Sequence, residues 1–159
     1  MPRYTLETFE TSLSERDTKG KHSMPKRDVT YKGKSLSWLK KRAWKLLSEI
    51  IRREAADSTG HLTCYTSGVR LHWKDAQAGH AIGGRHGAVL FDEEIIRPQS
   101  VRENVMLRGN YPVFVAKLIE LHGLDWWKSK LIESHQTVKW NRSDLISRIE
   151  DYSKRLEAL

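Results

Sequence analysis

A single cysteine, Cys64, stands in a chain of 159 residues. One thiol excludes an intramolecular disulfide and fits a reducing compartment. No apolar run approaches the length that crosses a bilayer, and the N-terminus lacks the apolar segment of a secretory signal. A soluble intracellular protein with no membrane partner is therefore expected. No internal repeat is found. Apolar residues make up 38% of the chain, enough for one modest core, and six tryptophans must supply much of it. The length suggests one domain plus appendages.

Positive charge is what the chain has in excess. The formal net charge is +8, and residues 1–55 hold fourteen Lys or Arg against seven Asp or Glu. Ten of those cations fall within 19–45, beside one acid, Asp28. Cations so dense repel one another unless a polyanion neutralises them, so a nucleic-acid backbone is a better partner than solvent alone. Lys26, Arg27, Lys32 and Lys34 lie in this stretch, and Lys40, Lys41, Arg42 and Lys45 follow.

Residues 1–34 are polar without sustained period and read as a basic, flexible arm that could order on DNA. From residue 35 the pattern changes. Leu36, Leu39, Ala43, Leu46, Leu47, Ile50 and Ile51 recur at helical spacing, with Ser35 or Ser37 as cap and an end near Ala56. Between His61 and Arg97 the helical period is absent. Strands are expected over His61–Tyr65, Val69–Trp73, Ala78–Ile82 and Ala88–Phe91. Helical spacing returns near Val101, breaks at Gly109-Asn110 and resumes from Pro112 to Leu121. Two further helices are expected, over Asp125–Glu133 and Ser143–Leu156, the last capped by Asn141 or Ser143. The adjacent Trp126 and Trp127 cannot share one helix face, so one should be core and the other exposed. Core packing is the expected role of most tryptophans. The architecture is α+β: a small ribbon-and-helix core flanked by N- and C-terminal helices.

A metal-dependent nuclease needs a base, ligands for a divalent cation, and cations that grip the backbone. His80, after Gly79, is the natural base, since imidazole titrates near neutral pH and needs only a carbonyl to fix its tautomer. Its bland alternative is a structural strand histidine. Asn104 offers an amide oxygen to a hard ion such as Mg²⁺ or Mn²⁺, or else caps a helix. The remaining ligand is open among Asp75, Gln77, Asp92 and Glu103, with His80 itself a possible donor. His86 is either a second imidazole or a loop residue, and Asn110 either binds phosphate or sits in a left-handed turn. Arg85, Arg97, Arg102 and Arg108 surround the motif and could hold phosphates.

The segments Leu62-Thr63-Cys64-Tyr65-Thr66-Ser67-Gly68, Gln77-Ala78-Gly79-His80, Leu90-Phe91-Asp92-Glu93, Arg97-Pro98-Gln99-Ser100 and Glu103-Asn104 before Gly109-Asn110-Tyr111 together resemble the phage NinG/Rap recombination endonucleases of the HNH superfamily. The resemblance runs from about Trp38 to Leu159, leaving the arm outside. It implies a small ββα-metal core in residues 35–159, and a divalent-metal-dependent endonuclease acting on branched DNA. It further implies a homodimer, in the cytoplasm of a phage-infected or lysogenic bacterial host. His80 and Asn104 fall in its catalytic pattern.

Members of that family commonly carry two Cys-x-x-Cys pairs for a structural zinc, and the four positions here read Cys64, Ser67, Ser100 and Glu103. Serine is a poor zinc ligand at neutral pH, so no structural zinc is expected, with packing and hydrogen bonds bracing the knuckle instead. HNH enzymes often place an acid directly before the histidine, where Gly79 stands, and an Asn mid-motif, where Ile95 or Ile96 falls. Three rivals remain. One is a catalytically degenerate branched-DNA-binding protein, another an RNA-directed protein. The third makes His72, His80 and His86 ligands of a structural zinc.

Overall fold

The computed structural model describes residues 31–83 and 87–159. Its frame is a pair of helices from opposite ends of the described chain. Helix α1, Leu36–Glu54, starts where the Ser35 hydroxyl accepts the Trp38 N–H at 3.2 Å. It buries Leu39, Ala43, Leu46, Leu47 and Ile50. The last helix is capped by Asn141, whose amide oxygen accepts the Asp144 N–H at 2.9 Å. This helix, Arg142–Glu157, buries Leu145, Ile146, Ile149 and Tyr152 against α1. Each fully buried Leu or Ile contributes about 1.5–3 kcal/mol, so this seam anchors the fold. The short lead into α1 is tied down as well: Arg142 donates to the carbonyl oxygens of Tyr31 and Lys34.

Two small antiparallel sheets follow α1 in the chain. Strands β1, His61–Thr63, and β2, Arg70–His72, pair Leu62 with Leu71. After a 3₁₀ turn at Trp73–Asp75, β3, Ala76–His80, pairs with β4, Ile96–Ser100, setting Gly79 opposite Arg97 and His80 opposite Ile96. Two expectations fail here. The strand expected at Ala78–Ile82 starts two residues earlier and ends at His80. The run Ala88–Phe91 is not a strand; a 3₁₀ turn, Gly87–Val89, carries it through the core. Phe91 there meets Trp140 and Tyr152. The true partner strand was hidden by Pro98, which cannot donate to a ladder. The Pro98 carbonyl accepts from Tyr65 N–H at 2.8 Å, so its backbone polar edge faces away from β3 and no β3 bond is lost.

β4 runs into a single π-type turn, Arg102–Met106, and then a tight reversal with positive φ at Arg108, Gly109 and Asn110. Helix α2, Tyr111–His122, follows with Pro112 in its first turn, then α3, Leu124–Ser134. The helix from Arg142 to Glu157 is therefore α4. Trp127 is buried and Trp126 half-buried, stacked on His122. Among the six tryptophans only Trp127 lies fully in the core. Trp44, Trp126 and Trp140 pack against it, so core packing is the role of most of them, while Trp38 is exposed and Trp73 half-buried. No helix among the described residues is long and apolar enough to cross a membrane.

Candidate functional site

His80 ends β3, where its ring is fixed from two directions. Trp44 of α1 stacks on the imidazole with centroids 4.5 Å apart and planes 26° apart. The Leu90 carbonyl oxygen lies 3.1 Å from Nε2. A carbonyl only accepts, so Nε2 carries the proton and the basic lone pair of the neutral ring sits on Nδ1.

Trp44 also borders a solvent-open cavity of about 670 Å³. α1 supplies Trp44, Ser48 and Arg52; the turn before β3 supplies Lys74 and Asp75; β3 supplies Gln77; and Val101 and Asn104 close the far side. Asn104 donates its amide N–H to the Gln77 oxygen at 2.7 Å, which orients the Asn104 carbonyl oxygen toward β3. There it rests over Gly79: a Cβ built at Gly79 would lie 3.0 Å from Asn104 Oδ1 and 2.9 Å from Gln99 Cδ, with Gln99 Oε1 closer still. Gln99 Oε1 is buried and is the one such side-chain atom without a hydrogen-bond partner among the described residues. Only glycine permits this approach. The strand therefore carries His80 and, one residue back, the bed on which Asn104 lies.

Arg52 staples the cavity wall. Its guanidinium reaches the Ser48 carbonyl at 2.8 Å, Ala76 at 3.2 Å and Trp73 at 3.3 Å. Burial pushes its pKa below the usual value, with Glu49 opposing. Lys41, Lys45, Ser48 and Arg52 follow at helical spacings of four, three and four, so one face of α1 carries positive charge toward the cavity. Trp44, Ser48, Arg52 and Lys74 were not singled out by sequence reasoning for the site. Nothing in the pattern signalled the stacking partner of His80.

The structure brings Asp75, Gln77 and Asn104 to one cavity, with His80 joined to it through Trp44. Asp92 goes elsewhere. One carboxylate oxygen caps the Glu94 N–H at 3.0 Å, and the other meets Lys130 at 2.7 Å. Glu103 is buried with its carboxylate on the Asn110 amide at 2.6 Å and on Arg102 at 3.3 Å. Arg97 donates to the carbonyls of Glu93 and Ile96 and lies over the Tyr65 ring, a structural use. Arg102 and Arg108 are exposed, as are Lys32, Lys34, Lys41 and Lys45, while Lys40 and Arg42 are half-exposed. Asn110 takes the left-handed turn alternative, at φ 46°. Lys26, Arg27, Arg85 and His86 lie outside the described residues. Among the described residues no group of three or more His, Cys, Asp or Glu is arranged to hold a metal.

The positions read as relics of a zinc knuckle do converge. The Ser100 N–H donates to Cys64 Sγ at 3.2 Å, and the Glu103 N–H donates to Ser100 Oγ at 3.3 Å. Burial pushes the Cys64 thiol up, but hydrogen bonds from Ser67, Ser100 and Thr66 outweigh it and bring it to about 7. The Asn110 amide holds the Glu103 carboxyl below the usual carboxylate range, against burial. Hydrogen bonds brace this knuckle.

Fold and site together define a small mixed α+β protein in which Gln77 of β3 and Asn104 of the turn after β4 meet at a solvent-open cavity, and His80 at the end of β3 stacks on Trp44 at that cavity's edge. The chain belongs to the NinG family: the model described as Bacteriophage Lambda NinG protein matches residues 7–159. That match begins inside the arm, so most of the arm, which was expected to lie outside the resemblance, is part of the family pattern. No curated protein and no solved structure matches the chain.

Proposed function

We propose that this protein is an HNH-like, divalent-metal-dependent endonuclease that cuts branched DNA during phage recombination. The observation that carries the reading is the imidazole of His80, locked by Trp44 and by the Leu90 carbonyl so that Nδ1 is its basic nitrogen. In this reading Nδ1 takes the proton from the attacking water. Lys74 and the basic row of α1 hold the flanking phosphates, with Arg102 and Arg108 gripping the strand beyond. Positive charge across α1 supplies affinity with little sequence preference, as fits an enzyme that reads shape.

The oxygen donors of Asp75, Gln77 and Asn104 are of the type that Mg²⁺ or Mn²⁺ prefers, and these residues would hold the ion. A bound ion would polarise the phosphate and stabilise the leaving oxygen. One carboxylate and two amides make a weak site, so millimolar metal is expected to be needed. Branched DNA as substrate, a homodimer and a bacterial cytoplasm belong to the same proposal.

The sparse donor set favours one rival, a branched-DNA-binding protein without nuclease activity. A labelled four-way junction, incubated with Mg²⁺, Mn²⁺ or EDTA, separates the two. Metal-dependent cutting supports the endonuclease; tight binding with no cutting under either metal supports the rival and sinks the enzyme.

A further inference from the structure

The segment after Asn104 exposes apolar side chains where solvent would favour polar ones. Val105 is 56% exposed, Met106 72% and Leu107 44%, with Val101 also exposed at the cavity rim. This is not a loose loop. The π-type turn closes by Leu107 N–H to the Arg102 carbonyl at 2.9 Å, and Gly109 N–H returns to the Glu103 carbonyl at 2.8 Å. Beneath it, buried Gln99 donates to the Gly109 carbonyl at 2.9 Å, and Asn110 is held on the Glu103 carboxylate. Two non-glycine residues, Arg108 and Asn110, are kept at positive φ in this turn. Strain of that kind persists where surrounding contacts over-determine it. π-type turns are themselves enriched at functional sites. The buried polar clamp therefore holds three apolar side chains out in water as a rigid tip.

Charge indicates what meets the tip. Arg102 and Arg108 flank it, both exposed, and the formal net charge of the chain is +8. A second copy of the same face would bring those cations together. A partner with an anionic rim and an apolar interior suits both features, and a base step at a helix discontinuity is such a partner: phosphates outside, unstacked bases within. We propose that Val105, Met106 and Leu107 form a wedge that enters an opened base step at a DNA branch, with Arg102 and Arg108 on the phosphates to either side. The inference rests on the branched-DNA reading above and adds how the branch is told from a plain duplex. It requires no cutting.

The test uses the full chain in EDTA with a four-way junction carrying 2-aminopurine at the branch point, and with a linear duplex of the same sequence. The variant M106S/L107S changes two exposed positions outside the core. Wild-type protein should raise 2-aminopurine fluorescence on the junction. The variant should lose that rise and bind the junction about tenfold more weakly, as expected once the wedge is no longer apolar, while duplex affinity stays the same. An unchanged fluorescence rise and unchanged junction affinity would overturn the wedge. So would a variant that drops from dimer to monomer by analytical ultracentrifugation, since the tip would then be a contact between copies. His80→Ala keeps the two readings apart: it should retain the fluorescence rise, so failure of cutting and failure of the wedge show up in different assays.

Discussion

Two regions flank the β3–β4 hairpin, and they treat their polar groups in opposite ways. Around the knuckle, Cys64, Ser100, Glu103 and Asn110 are joined to one another by hydrogen bonds, and Glu103 and Cys64 are almost wholly buried. Around the cavity, Asp75 and Lys74 are exposed, and Gln77 and Asn104 are half-exposed. A buried polar group without a partner costs about 1–3 kcal/mol, so the knuckle must be satisfied internally. Groups at an open cavity keep water as a partner and can exchange it for a ligand. The knuckle is thus the brace and the cavity the proposed working surface, although each contains a carboxylate and an amide.

The sharpest way to break this comparison is Glu103→Ala. It strands the Asn110 amide and removes a buried carboxylate held by Asn110 and Arg102. Urea unfolding should show a loss of about 2–3 kcal/mol, while cutting per folded molecule changes little. An unchanged midpoint would mean that the knuckle braces nothing. Gly79→Ala comes next, since the new methyl lands on the Gln99 amide and crowds Asn104 Oδ1 at 3.0 Å. Overpacking there should cost about 2 kcal/mol, read from the same unfolding curves. It should also disturb the cavity, because Asn104 has to move.

Cys64 sharpens the comparison through pH. Its folded pKa, about 7, is depressed from an ordinary value of 9.0. The thiolate therefore adds stability that is fully present above pH 9.0 and is lost as pH falls through about 7. Wild-type protein should gain stability between those limits, and Cys64→Ser should show a flatter profile when unfolding midpoints are measured across that window. The mildest change is expected from removing residues 1–30, which leaves the Tyr31–Lys34 anchor on Arg142 intact. The slope of log affinity against log salt should fall by about 0.9 for each phosphate that the arm had neutralised. A truncated protein with the full slope would remove the arm from the binding surface.

The helical frame was legible because its pattern is repetitive. Leu39, Ala43, Leu46, Leu47 and Ile50 recur at helical spacing, and all are buried on one face of α1. Leu145, Ile149 and Tyr152 do the same on α4. The centre was harder to read because its order comes from pairwise contacts between distant residues. Pro98 disguised β4, and the apolar run Ala88–Phe91 imitated a strand while serving as a buried turn. Length and composition cannot separate those cases in so short a run.

At the site, Gly79-His80 and Asn104 were visible as a motif. The need of His80 for a carbonyl partner followed from imidazole chemistry, and the Leu90 oxygen stands at Nε2. That Asp92 pairs with Lys130 and that Glu103 turns inward were not legible. A carboxylate looks the same in sequence whether it faces a cavity, a lysine or a buried amide. Trp44 and Arg52 were missed for a related reason, since nothing local marks which turn of α1 will face the hairpin.

The proposed chemistry falls to His80 and the neighbouring cavity, and stability to the knuckle. The most direct measurement compares His80→Ala and Glu103→Ala in one experiment, recording junction cutting in Mn²⁺ and the urea midpoint of each. His80→Ala is expected to lose at least about a hundredfold in rate with a midpoint near wild type, while Glu103→Ala loses stability and retains its rate when folded. If His80→Ala cuts as well as wild type, or if Glu103→Ala abolishes cutting while leaving stability intact, the two regions have been assigned the wrong way round.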